Sequence, residues 1–318
     1  MTLQSVSNGP IGSNSNPLVV ATHDGVFHCD DVMAVACLLV VYPYARVVRT
    51  RDPGVLASAD VVVDVGGEYD AERRRYDHHQ KGRAGQRSNG VLYSSFGLVW
   101  RHHGADVCRS LGVPSEHVRA VFYGVDRDLV CPVDATDNGQ ALYAGGSPAF
   151  KDVGTVSLSA VLSGFNPSWH EAAKDFDACF LQAVAFAQAI LRNAIADALG
   201  SAMAERIVLS AIHRSDDGPV VVLDQFVPWG ELVRDAAPDA LFVVFPSETG
   251  TWMVQAINAK PGTFESRKLL PESWAGLRDE AFSAAVGLDD GVFCHPGRFI
   301  CGAKTKASAL RLAELALL

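Results

Sequence analysis

Long apolar runs are scarce in this 318-residue chain. The longest, Val32 to Tyr42, falls well short of the roughly 20 residues that span a bilayer, so no membrane partner is expected. The first seventeen residues, MTLQSVSNGPIGSNSNP, hold no Lys or Arg and no apolar core. They therefore resemble neither a signal peptide nor an Arg-rich transit peptide, and none is expected. Their Ser, Asn, Gly and Pro predict a disordered tail over residues 1–16. No Cys-x-x-Cys occurs, and the seven cysteines, Cys29, Cys37, Cys108, Cys131, Cys179, Cys294 and Cys301, are odd in number and scattered. A disulfide framework and a zinc ribbon are both excluded, and a reducing cytoplasm is the expected compartment. Positive charge is short as well: 27 Lys and Arg stand against 36 Asp and Glu, a formal net charge of −9. A protein that coats long duplex DNA is usually basic. A short phosphorylated substrate remains compatible when metal ions and a few local cations supply the positive charge.

What is present is a globular composition, 48% apolar and 20% charged, long enough for two domains with cores. Residues 17–23, PLVVATH, read as a buried strand, and DDVMAVACLLVVYP after it as a buried helix with acids in its first turn and a Pro stop. Residues 45–50 and 59–67 read as two further strands. Strand, helix and strand in alternation imply a parallel α/β sheet, whose functional groups gather beyond the carboxyl ends of its strands. SFGLVWRHHG reads as a helix ending at Gly104, and another starts at Pro114. A long helix is predicted from Trp169 to Leu199, capped by Ser168 with Glu171 and closed by Gly200. At 1.5 Å per residue it would run about 45 Å and link two lobes. RIVLSAIH, PVVVLDQFV, ALFVVFP and TWMVQAIN then read as strands, with PSETGT as a hairpin turn, before a final helix, KTKASALRLAELALL. The organisation expected is a tail, a domain over residues 17–200 that includes the linker helix, and a smaller mixed-sheet domain over residues 201–318.

Four clusters could carry chemistry. THDGVFHCDD puts His23, His28, Asp30 and Asp31 at a strand-to-helix turn; the plain alternative is a polar loop with a capping Asp. VVVDVGG leaves Asp64 at the end of an apolar strand, where a buried charge needs a metal ion, an Arg or backbone N–H groups. RYDHHQ joins Asp77, His78 and His79; it reads either as a solvated loop or as a ligand set whose Asp77 fixes a histidine tautomer. VDATDNG offers Asp134 and Asp137, with Asp126 and Asp128 nearby, and Asp134 is the better candidate because Asp-Asn-Gly is ordinary turn sequence. A mixed imidazole and carboxylate set suits Mn²⁺, and also Mg²⁺, Co²⁺, Fe²⁺ or Zn²⁺.

These segments, in this order, resemble the DHH phosphoesterase superfamily. THDGVFHCDD, RRYDHHQ, VDATDNG, FVPWGELV and PESWAGLRDEAF…GVFCHPGRFICGAKTKASAL more closely resemble one family, called metal-dependent protein hydrolase or melanocyte proliferating gene family. The likeness covers nearly everything after the tail, and members are described as 3′–5′ RNA exonucleases. It implies a two-lobed α/β fold and two divalent ions in the cleft between the lobes. His23, His28 and Asp64 would hold one ion, and Asp30, Asp64, His78 and Asp134 the other. Asp64 would bridge, Asp77 would support from behind, and His79 would face the phosphate. The wider superfamily usually has Asp where His28 stands. In the second lobe Arg267 and Lys268 resemble a phosphate clamp, and His295 and Arg298 would join them. His102 and His103 read as cations at a helix end. The expected activity is phosphodiester hydrolysis of RNA or short oligonucleotides from the 3′ end. The rivals are hydrolysis of pyrophosphate or a cyclic dinucleotide, and a non-catalytic metal- or RNA-binding protein. A homodimer stays open.

Overall fold

The computed structural model describes residues 17–142 and 156–318. The expected tail, residues 1–16, lies outside the described residues. Two compact units divide at Leu199 and Gly200. The first opens with β1 (Val19–Thr22), α1 (Cys29–Val41), β2 (Arg46–Arg49), α2 (Pro53–Ser58) and β3 (Val61–Val63), followed by the short pair β4 (Tyr69–Asp70) and β5 (Arg75–Tyr76). Strand order is β2-β1-β3-β5-β4. β2, β1, β3 and β5 run parallel, and β4 joins antiparallel at the edge. Order therefore reverses at β1, which creates a switch point beyond the carboxyl ends of β1 and β3. Val20, Val61, Val63 and the first three turns of α1 are buried, which explains why strands and helix alike read as continuous apolar runs.

Helices α3 (Ser95–Ser110), α4 (Val118–Val125), α5 (Cys131–Asp137) and α6 (Leu158–Ser163) complete this core. α3 does not stop at Gly104. A Cβ there would lie 2.7 Å from Trp100 and 2.8 Å from Phe122, whose rings stack at 5.5 Å, so this glycine serves close packing within the helix. A π-turn over Asp126–Val130 joins α4 to α5. Such a turn adds a residue to the helical circuit and often marks a functional region.

α7 (Phe176–Arg214) differs from the predicted linker in both ends. Ser168 and Glu171 do bond to one another, but as an isolated turn before the helix. Gly200 lies inside α7, at a cost of about 1 kcal/mol relative to Ala that packing elsewhere offsets. RIVLSAIH is correspondingly helix, not strand: Ala204, Val208 and Ala211 bury one stripe against Val221, Leu223 and Val243. α7 is long and apolar enough to cross a membrane by composition, yet Phe180, Ala183, Val184, Ala187 and Leu191 are buried at helical spacing.

The second unit holds β6 (Val220–Val222), α8 (Gly230–Ala236), β7 (Phe242–Pro246), β8 (Trp252–Ala256), α9 (Asp279–Val286), β9 (Gly291–Cys294), β10 (Ile300–Ala303) and α10 (Lys306–Leu317). Its sheet, β6-β7-β8-β10-β9, is parallel only between β6 and β7. Residues 247–251 close the β7–β8 hairpin, with Gly250 at φ +85°. α9 and α10 cover one face around Phe242, Trp274, Phe282 and Leu312.

Candidate metal centre

Three parallel strands deliver the site. His23 follows β1, Asp64 follows β3, and Asp77, His78 and His79 follow β5. Asp30 and Asp31 enter from the first turn of α1, Ser95 from the first turn of α3, and Asp137 from the last residue of α5. Helix N-termini favour the acids gathered there. Asp64 itself sits at φ +56°, a left-handed conformation costly for a residue with a Cβ, and Gly66 and Gly67 follow it with positive φ. The backbone is bent so that this carboxylate leaves the strand and turns into the cluster.

The two oxygens of Asp64 face different histidines. Oδ2 lies 3.4 Å from His23 Nε2, and Oδ1 lies 3.4 Å from His78 Nε2 and from His79 Nδ1. Ser95 Oγ donates to Oδ1 at 2.9 Å. His78 Nε2 also approaches Asp30 Oδ2 at 3.8 Å and Asp137 Oδ2 at 3.3 Å. Ligand atoms of His23, His28 and Asp64 lie within 4.8 Å of one another, as do those of Asp30, His78 and Asp137 and those of Asp64, His78 and His79. Asp31 meets the same His23 nitrogen as Asp64: its Oδ2 is 3.2 Å from Nε2, and its Oδ1 accepts from the His28 backbone N–H at 2.9 Å.

Charge in this pocket is crowded. Burial, then the fields of Asp64, Asp137 and Asp31, push the Asp30 carboxyl well above the usual carboxylate range. Burial likewise raises Asp31 and Asp137 against the pull of their histidines. Asp64 goes the other way: hydrogen bonds from His23, His78 and Ser95 and the field of His79 outweigh its burial and hold it below that range. Burial opposes charge on His23, but Asp31 and Asp64 overcome it and raise the imidazole to about 10. Asp30 Oδ1 and His78 Nδ1 are buried with no hydrogen-bond partner among the described residues. Crowded carboxylates with an orphaned oxygen on Asp30 are what a divalent cation would relieve, and His78 turns its Nε2 toward them, so the residues present fit such an ion.

His79 has another posture. Its side chain is 62% exposed, and its Nδ1 lies 2.8 Å from Asp77 Oδ1. Asp77 also accepts from the His79 and Gly67 backbone N–H groups, and these bonds outweigh burial to keep its carboxyl below the usual range. The hydrogen bond to Asp77 in turn raises the His79 imidazole.

The structure corrects the fourth cluster. Asp134 is buried away from the histidines and takes hydrogen bonds from Arg87, Ser94 Oγ and the Gly97 N–H. Burial raises it to about 6 even with Arg87 beside it. A Cβ on Gly97 would meet its Oδ2 at 1.8 Å. Asp126 is bound to the same Arg87. Asp137, three residues further along α5, meets His78 in its place. Asp31 and Asp137 stood among the candidates outside the preferred ligand set, whereas Ser95 was missed, and its place at the start of α3 was the available signal.

Arg267 and Lys268 are engaged within the second unit. Arg267 donates to the carbonyls of Ala237, Ala240 and Arg234 at the end of α8, and Lys268 to that of Leu317 at the end of α10. Both are cations closing helix C-termini. His295 Nδ1 accepts from the Gly297 N–H, and Arg298, at φ +57°, reaches the Leu270 carbonyl at 3.5 Å. His102 and His103 are likewise no helix-end cations. They are buried mid-helix, 2.8 and 2.9 Å from the Tyr69 and Tyr76 hydroxyls, and burial lowers both, His103 to about 4.

Fold and site define an α/β protein with a buried His/Asp cluster able to hold divalent ions at a sheet switch point. The profile of the MYG1 exonuclease family, described as an uncharacterised protein family (UPF0160), matches residues 19–317. The human MYG1 exonuclease is 35% identical over 325 residues, covering 95% of this chain and 86% of that protein. The MYG1 protein of Schizosaccharomyces pombe is 33% identical over 323 residues, covering 95% and 98%. That of Saccharomyces cerevisiae is 32% identical, covering 94% and 95%. The chain belongs to the MYG1 family.

Proposed function

We propose that this chain is a dinuclear metal-dependent phosphodiesterase of the DHH superfamily, acting as a 3′–5′ exonuclease on RNA or short oligonucleotides. The observation that carries the reading is the division of Asp64, one oxygen toward His23 and the other toward His78. A carboxylate so divided suits a bridge between two ions. His23, His28 and Asp64 would hold one, and Asp30, His78, Asp137 and Asp64 the other, with Mn²⁺ the first candidate. Two such ions supply Lewis-acid charge that acidifies water and offsets charge on a phosphate. The chain's own residues do the rest. Ser95 and the left-handed backbone fix the orientation of Asp64, the carboxylate that would be shared by the two ions. Asp77 fixes Nδ1 of His79, which leaves Nε2 to hold a proton toward a phosphoryl oxygen. The names of the relatives support exonuclease activity. A reducing compartment such as the cytoplasm belongs to the same proposal and agrees with seven free thiols. The pyrophosphate rival loses its clamp, because Arg267 and Lys268 are taken up by helix carbonyls.

The test is turnover of 3′-labelled and 5′-labelled RNA with Mn²⁺, beside pyrophosphate and a cyclic dinucleotide. RNA should be shortened stepwise from its 3′ end. Asp64→Asn should lose both turnover and bound metal. Retained ions and rate in that variant would end the dinuclear reading.

A further inference from the structure

Arg87 and Asp134 take no part in the His/Asp cluster, yet both charges are out of water, at 6% and 0% exposure. Arg87 forks onto both oxygens of Asp126 and donates to Oδ2 of Asp134. Its guanidinium carbon also lies 4.4 Å from the centre of the Tyr93 ring. Burying such a pair is costly, and apolar side chains of equal volume often stabilise a core as well or better. Stability alone therefore does not account for it. What the pair can supply is a fixed direction for the helices it joins.

Asp134 caps α3 from another helix. Its Oδ1 accepts from Ser94 Oγ at 2.6 Å and from the Gly97 N–H at 2.9 Å. Gly97 is the third residue of α3, whose N–H is ordinarily satisfied by the side chain just before the helix. Here that residue, Ser94, makes no such bond and gives its hydroxyl to Asp134 instead. Ser95, held between these two contacts, is the residue that reaches the cluster. Its Oγ donates to Asp64 Oδ1 at 2.9 Å, and its N–H donates to Asp30 Oδ2 at 3.3 Å. Asp30, Oδ1 of Asp64 and His78 belong to one of the two ion positions. The other position differs. Among the described residues the polar contacts of His23 run to Asp24, Asp31 and Oδ2 of Asp64, and none to Ser94, Ser95 or Asp134.

We infer that the Arg87–Asp134 pair is a positioning device for one ion alone, the one assigned to Asp30, His78 and Asp137, and that it acts through Ser95. With the pair intact, α3 turns the carboxylates of Asp64 and Asp30 toward His78. Without it every ligand remains, but they no longer converge. The inference rests on the dinuclear reading and makes its two ions unequal. One is fixed by its own ligands, and the other depends on a buried ion pair behind them.

Titration of the full chain, stripped of metal, with Mn²⁺ tests it. Calorimetry reads the affinity of each ion, and electron paramagnetic resonance reads the coupling between them. The unmutated chain should take up two ions. Asp134→Asn should leave the first ion unchanged and weaken the second by about 10–100-fold, the usual cost of a change behind the ligands. Excess Mn²⁺ should restore the coupled signal, because no ligand has been removed. Ser95→Ala should show the same one-sided defect. The two substitutions together should weaken the second ion by less than the product of their separate effects, since they lie on one route. Asp126→Asn leaves Arg87 on Asp134 and should keep both ions. If Asp134→Asn does not fold, Ser94→Ala removes a hydroxyl and no charge, and carries the same expectation. An unchanged second ion, equal weakening of both ions, a matching loss in Asp126→Asn, or independent effects of Ser95 and Asp134 would overturn the inference alone. A single ion in the unmutated chain would overturn the dinuclear reading, and the inference with it.

Discussion

His78–His79 and His102–His103 are the same dipeptide in two surroundings, and both touch the neighbourhood of β5. The first pair follows β5 into a ring of carboxylates, Asp30, Asp64, Asp77 and Asp137. The second stands on α3 against tyrosine hydroxyls, one of them on β5 itself. Carboxylates raise the His79 imidazole, whereas burial without a counter-charge lowers His102 and His103. An imidazole among acids is built to share a cation or a proton. An imidazole among tyrosines is a neutral packing group that ties a helix to a strand. The dipeptide alone carries neither role. The carboxylates brought by β3, α1 and α5 make the difference.

The largest effect should separate the pairs outright. His78→Ala removes a group shared by Asp30, Asp64 and Asp137, so bound metal should be lost. The decline in affinity should exceed the roughly 10–100-fold that follows changes behind the ligands. His103→Gln should keep the metal content of the unmutated chain. Elemental analysis of the two purified variants reads the contrast, and equal metal loss in both would erase it.

Next comes the division within the first pair. His79 is exposed and leans on Asp77, whereas His78 is buried among acids. His79→Ala should retain bound metal yet turn over RNA about 10²–10⁴-fold more slowly, the usual range for loss of a positioned proton donor. Loss of metal would make His79 a ligand equal to its neighbour.

Much of this contrast was legible in sequence, and the illegible part has physical causes. β1, α1 and β3 could be read because buried elements are apolar throughout, so His23 and Asp64 stood out at the strand ends. His102 and His103 were misread because Gly104 resembles a helix stop; only the stacked Trp100 and Phe122 reveal it as a contact position. Gly200 misled in the same way, and RIVLSAIH has the β-branched residues of a strand while its buried residues keep helical spacing. Asp134 and Asp137 share one helix, and the choice between them depends on Arg87, which comes from a distant loop and satisfies Asp134 completely enough to remove it from the cluster. Single-strand propensity contains no such information.

The third effect is on acid stability. The His103 imidazole titrates near 6.5 when unfolded and at about 4 when folded. Between those values the unfolded chain binds more protons than the folded one, so stability is full above the unfolded value and falls as pH drops from 6.5 toward 4. The loss is on the order of 3 kcal/mol. His103→Gln retains a polar group for the Tyr76 hydroxyl and cannot titrate. Its urea-denaturation midpoint should therefore fall less between pH 7 and pH 4.5 than that of the unmutated chain. Parallel losses would mean that His103 does not sense pH from its tyrosine pocket.

The smallest effect divides the second pair. His102 Nε2 is 2.8 Å from the Tyr69 hydroxyl, and its ring stacks on Tyr76 with centroids 5.6 Å apart. Tyr69 lies on the edge strand β4 and is only half-buried, so its hydroxyl can turn to water when the partner is removed. Tyr76 is 1% exposed, and its hydroxyl has no such recourse if His103 is lost. His102→Phe keeps a ring in the stack and removes one hydrogen bond whose donor and acceptor can both be rehydrated or buried as carbon. The cost should be about 1 kcal/mol or less, against the 1–3 kcal/mol of stranding a buried polar group. His103→Phe, which strands the Tyr76 hydroxyl, should cost more. Thermal midpoints of the two phenylalanine variants at pH 7.5, where both imidazoles are neutral, measure the difference directly. If His102→Phe proved the more damaging, the exposed Tyr69 contact and not the buried Tyr76 contact would be what joins α3 to the sheet edge, and the inner member of the second pair would have been assigned to the wrong histidine.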